Sequence, residues 1–303
     1  MATFATFALA AASVAATRPS GTSPAAPASF CDQSGWSLVW SDEFDGPSIN
    51  TSAWQIDDHL PAGNSRTRAA LALKSNSYIE DGHLVLRSNA TWENGQWQNL
   101  TSGAIESVAK VSFQGIHRVC VSAKLPGGAG GGDGIWPAHW MMPDDKSCWP
   151  CHGEIDIMEM IRGDGILHGT YHWCVNQTCG DGPQHLSSGG QTNMPADWAT
   201  AWHEFGVEYS QSGIKFALDG QVYHSPPSSS IFWAHTTPYY VILNTAVGGP
   251  WPGRRTRHFR RTTRSTTCAS LNRRPSSLVF SNVSSYKTTT PPSPAPRPCP
   301  TSP

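Results

Sequence analysis

Residues 153–160 read GEIDIMEM, and three acids, Glu154, Asp156 and Glu159, fall within six positions of this stretch. Only 14% of the chain is charged, and the residues between the acids are large and apolar. Side chains alternate along a β-strand, which puts Glu154 and Asp156 on one face and Ile155 and Ile157 on the other. In a regular strand Glu159 would fall on the apolar face. One extra residue, a β-bulge around Ile157–Met158, resets the alternation and returns Glu159 to the side of the other acids. An exposed acidic edge strand or a calcium site are the other readings. The apolar partners on the opposite face and Trp149-Pro150 just upstream argue against both.

Outward from this strand the chain continues in the same style. SLVWSDEF, GHLVLRS, AKVSFQG, RVCVSAKL, HEFGVEYS, GIKFALDG and PYYVILNTAV are short and rich in β-branched or aromatic residues. Gly, Pro, Asn and Asp turns separate them. No amphipathic helix of three turns and no internal repeat interrupts them. Many short strands without intervening helices predict an all-β jelly-roll sandwich of two antiparallel sheets, with a concave face suited to a long polymer such as a glycan.

The acids then suggest a chemistry. A retaining glycosidase needs one ionised carboxylate to attack the anomeric carbon and one protonated carboxyl to donate to the leaving oxygen. Asp156, between the two glutamates, is placed to share the site's proton, because like charges so close cannot all ionise freely. The two glutamate Cα atoms should lie roughly 13 Å apart, with side chains leaning inward on a concave strand.

These residues resemble the catalytic signature of glycoside hydrolase family 16, in the bulged E-x-D-x-x-E form typical of laminarinase-like members. The likeness extends through LVWSDEFDG, DGHLVLRS, TSGAIES, GIWPAHWMMP, HGTYHW, WHEFGVEYSQSGIKFALDG and YYVILNTAVGGPWPG, in the family's order over residues 36–253. The resemblance implies Glu154 as nucleophile, Asp156 as its assisting acid and Glu159 as general acid/base. It also implies a sugar cleft lined by Trp136, Trp251 and His172, with Trp149 and Asn244 as further contacts. The expected activity is endo-hydrolysis of a β-1,3 or mixed β-1,3/1,4 glucan by double displacement. A β-1,3-galactanase, a glycan transglycosylase and a non-catalytic lectin of similar shape are the alternatives. Residues 60–78 lack the acidic-and-amide motif common in laminarinases, which leaves glucan against galactan open. No cofactor and no metal are expected; the polysaccharide is the expected partner, with no nucleic acid, no membrane and a monomeric enzyme.

The ends of the chain differ from its middle. Residues 1–16 read as a secretory signal peptide, apolar and ending in small residues, and 17–30 as a spacer. The catalytic domain is expected over 31–253. Six of the eight cysteines lie before residue 254. In a secreted, extracellular or cell-wall protein they are expected as disulfides, while CWPC at 148–151 has no second C-x-x-C to complete a zinc set. Cys174–Cys179 is predicted as a local bond and Cys31–Cys120 as a second, with Cys148 and Cys151 pairing elsewhere. Asn50, Asn89, Asn99, Asn176 and Asn282 begin glycosylation sequons.

From Arg254 onward there are nine Arg, one Lys and no acid, against 22 acids and 11 basic residues before it. Residues 254–303 are therefore predicted to be a basic, Ser/Thr/Pro-rich tail that does not pack. A shifted reading frame or retained intron would produce such a switch, and nothing after Gly253 reads as the sandwich's closing strand.

Overall fold

The computed structural model describes residues 29–248, except 59, 62–70, 94–95, 128–131, 133, 146, 176–178, 181, 211–212 and 228–236, and then residues 278–282. Thirteen strands, together with the two-residue strand Ser112–Phe113, form its two main sheets. They are β1 (Ser37–Ser41), β2 (Gln55–Ile56), β3 (Ala104–Glu106), β4 (His117–Ala123), β5 (Ile135–Pro143), β6 (Glu154–Met160) and β7 (Ile166–Cys174). They continue with β8 (His185–Asn193), β9 (His203–Ser210), β10 (Gly213–Leu218), β11 (Gln221–His224), β12 (Tyr239–Val247) and β13 (Leu278–Asn282). One sheet runs β1-β13-β4-β9-β10-β11 and the other β8-β7-β6-β5-β12-β3-β2, with Ser112–Phe113 also paired to β12. All pairings within these two sheets are antiparallel. Among the described residues there is no α-helix, and the architecture is the expected jelly-roll sandwich.

Alternation builds the core. Leu167, Tyr171 and Trp173 of β7 turn inward, while His168, Thr170 and His172 between them do not. Met141, Ile155, Ile157, Met158 and Met160 from one sheet belong to the same cluster as Val119, Val121, Phe205, Val207 and Phe216 from the other. Burying a side chain of this size contributes about 1.5–3 kcal/mol. The β10–β11 hairpin turns at Asp219-Gly220, both at positive φ (46° and 81°), the type I′ geometry that matches strand twist. Asp42 of the LVWSDEFDG motif accepts the indole N–H of fully buried Trp54 at 2.8 Å and the Phe44 N–H at 2.9 Å. That motif is structural.

Strand β9 is buried along its whole length, because its outer face is covered too. Glu204 accepts the Phe30 N–H at 2.6 Å and the Ser29 hydroxyl. Arg118 bonds Glu208 at 2.8 Å and lies over the rings of Phe30 and Trp36. Cys31 is joined to Cys120, and closing that 89-residue separation contributes about 4–5 kcal/mol by chain entropy. Ser29 and Phe30, placed in the spacer by composition, therefore belong to the fold. The expected absence of a closing strand is corrected as well: Leu278–Asn282, within the predicted tail, pairs with both β1 and β4.

The Cys31–Cys120 bond is as predicted, but Cys174–Cys179 is not. Cys179 bonds Cys148 instead, and among the described residues neither Cys151, expected to pair elsewhere, nor Cys174 is in a disulfide. Cys174 is held buried at the end of β7 opposite His185, whereas Gly180, next to Cys179, donates to the Trp149 carbonyl at 2.7 Å. The connection after β7 thus lies against the loop before β6 rather than folding back on its own strand.

The bulge is where the sequence placed it. Ala138, His139 and Trp140 face Glu159, Met158 and Asp156, so Ile157 is the extra residue on β6. On the other side Ile157 and Met158 together oppose Gly169 alone. A Cβ at Gly169 would lie 2.3 Å from the Tyr223 hydroxyl and 2.9 Å from Phe216, so only glycine fits beneath the bulge.

His139, opposite the bulge, is 1% exposed against Phe205, and neither of its ring nitrogens has a hydrogen-bond partner. Burial pushes it from 6.5 down to about 3. The unfolded chain therefore takes up a proton below the ordinary histidine value while the folded one does not. Stability falls with pH from about 6.5 toward about 3, by about 1.4 kcal/mol per unit. Replacing His139 by Phe should remove this slope. In urea unfolding at pH 7 and pH 5 the wild type is expected to lose about 2 kcal/mol more than the variant; parallel losses would show that His139 is not the titrating group.

Candidate active site

The bulge puts Glu154, Asp156 and Glu159 on the face of β6 opposite its core residues. Asp156 and Glu159 are buried at 3% and 6% exposure, and Glu154 is the most open of the three. Gly153 sets the start of the strand. Its φ is +93°, and a Cβ there would come within 2.4 Å of the Tyr239 hydroxyl and 2.9 Å of the Tyr171 ring. Tyr239 in turn donates to the His152 carbonyl, fixing the loop that feeds β6.

Each acid has its own partners. The indole N–H of Trp149 donates to Glu154 Oε2, and Glu154 also shares a hydrogen bond with Asp156. Asp156 Oδ2 lies 3.2 Å from His172 Nε2. Trp136 Nε1 donates to Glu159 Oε1 at 3.1 Å. The Trp140 indole N–H donates to Asn244 Oδ1 at 2.7 Å, beside Ala138, which pairs with both Asn244 and Glu159.

Burial sets the electrostatics. Desolvation raises the pKa of all three carboxyls. The Asp156 charge raises Glu154 further, and the charges of Asp156 and Glu154 raise Glu159. The Trp149 donor acts against this at Glu154, as does His172 when both its nitrogens are protonated, and the Trp136 donor acts at Glu159. The hydrogen bond between Glu154 and Asp156 raises the first and lowers the second. Three carboxyls so arranged cannot all be ionised. Glu159 faces two neighbouring acids and has one indole donor, so it is the one best held protonated. Glu154 receives donors and is the most exposed, which suits an ionised group that must reach a substrate.

Of the residues named from sequence, Glu154, Asp156, Glu159, Trp136, Trp149, His172 and Asn244 come together on this one face. Trp251 lies outside the described residues. Three contributors were missed. Trp140 sits four residues after Trp136 and shares its face, which strand alternation alone could have shown. His185 reaches His172 from β8, and no motif marks it. Glu106 pairs with Ile242, which pairs with Trp140, so it shares the face two strands away. Gln55 donates to it at 2.8 Å, and burial, then the Asp57 charge, push it up to about 7.

The donor atoms of Glu154, Asp156 and His172 lie within 4.8 Å of one another, a closeness their mutual hydrogen bonding accounts for. The sulfurs of Cys148, Cys151 and Cys179 are equally close, but two of them are joined in a disulfide, which takes away the thiolates a metal would need.

Comparison with known proteins matches this geometry to a family. The profile of Glycosyl hydrolases family 16 matches residues 64–267, ending beyond the predicted boundary at 253. A Beta-glucanase of Rhodothermus marinus is 30% identical, over 72% of this chain and 78% of its own length. Glucan endo-1,3-beta-glucosidase A1 of Niallia circulans is 32% identical over 73% of this chain. The match spans only 35% of that longer protein. The X-ray structure of the endo-beta-1,3-glucanase from Pyrococcus furiosus superimposes with a TM-score of 0.65 at 27% identity, covering 83% of this chain and 96% of the other.

Proposed function

Because this chain belongs to glycosyl hydrolases family 16, we propose that it is a retaining endo-glycosidase that cuts β-1,3 bonds in glucans, including mixed β-1,3/1,4 chains. One observation carries the reading: three carboxyls on one face of a single bulged strand, two of them buried, with indole donors on Glu154 and Glu159. The glucan-cleaving names of the relatives support the choice of substrate.

Glu154, as carboxylate, attacks the anomeric carbon while the glycosidic C–O bond breaks. Glu159 gives its proton to the leaving oxygen. The glycosyl ester on Glu154 is then opened by water, which surrenders a proton to Glu159 and its hydroxyl to the anomeric carbon. For attack to occur, the proton shared by Glu154 and Asp156 must rest on Asp156, which then donates a hydrogen bond to an ionised Glu154. Trp136, Trp140 and Trp149 offer flat apolar surface to the C–H faces of pyranose rings. An oxidising compartment outside the cell fits the two disulfides and the apolar leader.

The test is product analysis on laminarin, lichenan and β-1,3-galactan in parallel, with proton NMR during early turnover. Oligosaccharides should appear from laminarin, with the β-anomer formed first. Cleavage of galactan alone would replace the substrate, and first release of the α-anomer would remove the covalent step.

A further inference from the structure

His185 opens β8, diagonal to His172 on the neighbouring strand. Its Nε2 lies 2.8 Å from His172 Nδ1, and its ring meets that of Trp149 edge-on at 4.7 Å. Trp149 donates to Glu154 and His172 contacts Asp156, so His185 touches the two residues that touch the acids. We propose that His185 is a positioning residue that donates to His172 and thereby fixes the direction of a donor chain ending on Glu154. This rests on the functional reading above, in which Glu154 is the nucleophile.

The proposal follows from counting hydrogens. Two imidazole nitrogens 2.8 Å apart hold one hydrogen between them. If it belongs to His185, a neutral His172 carries its own hydrogen on Nε2 and donates to Asp156 Oδ2. Asp156, satisfied on that oxygen, keeps its carboxyl proton on the other and donates it as a hydrogen bond to Glu154. Glu154 then accepts from Asp156 and from Trp149 and stays a bare carboxylate toward the sugar. If the hydrogen belonged to a neutral His172, its Nε2 lone pair would face Asp156. The Asp156 proton would turn to it and leave Glu154 with one donor fewer. Among the described residues, the titratable groups shown against His172 are Asp156, with Glu154 beside it on β6, and His185 on β8; Trp149 covers the pair from the preceding loop.

Two variants separate the donor from the ring. His185→Phe keeps a flat ring against Trp149 without a donor, and His185→Gln keeps an N–H near the Nε2 position. On laminarin, H185F should lower kcat about ten- to a hundred-fold with KM within about twofold, and H185Q should restore most of the loss. Phe kinetics within twofold of wild type, or Gln no better than Phe, would overturn the proposal. Nitrogen-15 NMR of the wild-type imidazoles is the measurement that needs no variant to fold. His172 is expected as the Nε2–H tautomer with Nδ1 accepting, and a hydrogen on His172 Nδ1 would overturn the assignment. Wild-type turnover tests the functional reading by itself, whereas the tautomer tests the relay whether or not laminarin is cut.

Discussion

Replacing Glu154 by Gln should lower kcat on β-1,3-glucan by about four orders of magnitude, roughly 5 kcal/mol of transition-state stabilisation, while the fold and glycan binding persist. The amide has nearly the carboxylate's shape, so Trp149 and Asp156 keep a neighbour of the same size. What is lost is the lone pair that forms the bond to the anomeric carbon. Stability should be unchanged or higher, because desolvation and the Asp156 charge both oppose the ionised Glu154. Active sites commonly hold such conflicts at a cost to stability. The checks are initial rates on laminarin, calorimetric binding of a laminari-oligosaccharide and a melting curve. Residual activity above about one percent of wild type would mean that another group attacks.

The second large effect concerns Glu159, and it depends on the substrate. Glu159→Gln should cost about a thousandfold on natural glucan, where an alkoxide cannot leave without a proton. On an aryl glycoside with an acidic phenol the loss in the bond-breaking step should be small. The pH profile carries an independent sign. Burial and two acid neighbours raise Glu159, so its proton is retained above the usual carboxylate range. Wild-type activity should decline as pH rises through that raised value, because the acid form is then lost. The Gln variant should lack this alkaline limb. Equal losses on both substrates would remove Glu159 from the acid's role.

Much of this was legible because one rule, alternation, governs both the core and the site. It placed Glu154 and Asp156 together and required the bulge that recovers Glu159; Ile157 is that extra residue. The rule failed where composition disguised a strand. Ile135–Pro143 carries two prolines, which normally demote a run, yet Pro137 sits in the middle of β5 opposite Thr245. With that strand unread, Trp140 was missed although Trp136 was found. His185–Asn193 is Ser, Gly and Gln over most of its length and forms the sheet's edge, where little apolar burial is needed. Its polarity hid the histidine at its head. Leu278–Asn282 was passed over because its neighbours are Arg, Ser and Thr, although the five residues Leu-Val-Phe-Ser-Asn satisfy strand propensity by themselves. Disulfide pairing was beyond reach for another reason: sequence spacing does not say which loop lies against which.

The place of β13 also sets an order of events during synthesis. In the sheet order it lies between β1 and β4, so the first strand of the sheet to be made has no neighbour until nearly the last has left the ribosome. The meander from β9 to β11 can dock on β4 long before that. The other edge of β4, from His117 to Val121, waits for residues 278–282. At about 5–20 residues per second the roughly seventy residues after β9 take on the order of ten seconds. Over that interval the nascent chain offers an unpaired backbone edge, with the exposed Leu38 and Val39 of β1 unattached near its beginning. Neighbouring chains on one message would present the same edge to each other until residues 278–282 arrive to cover it.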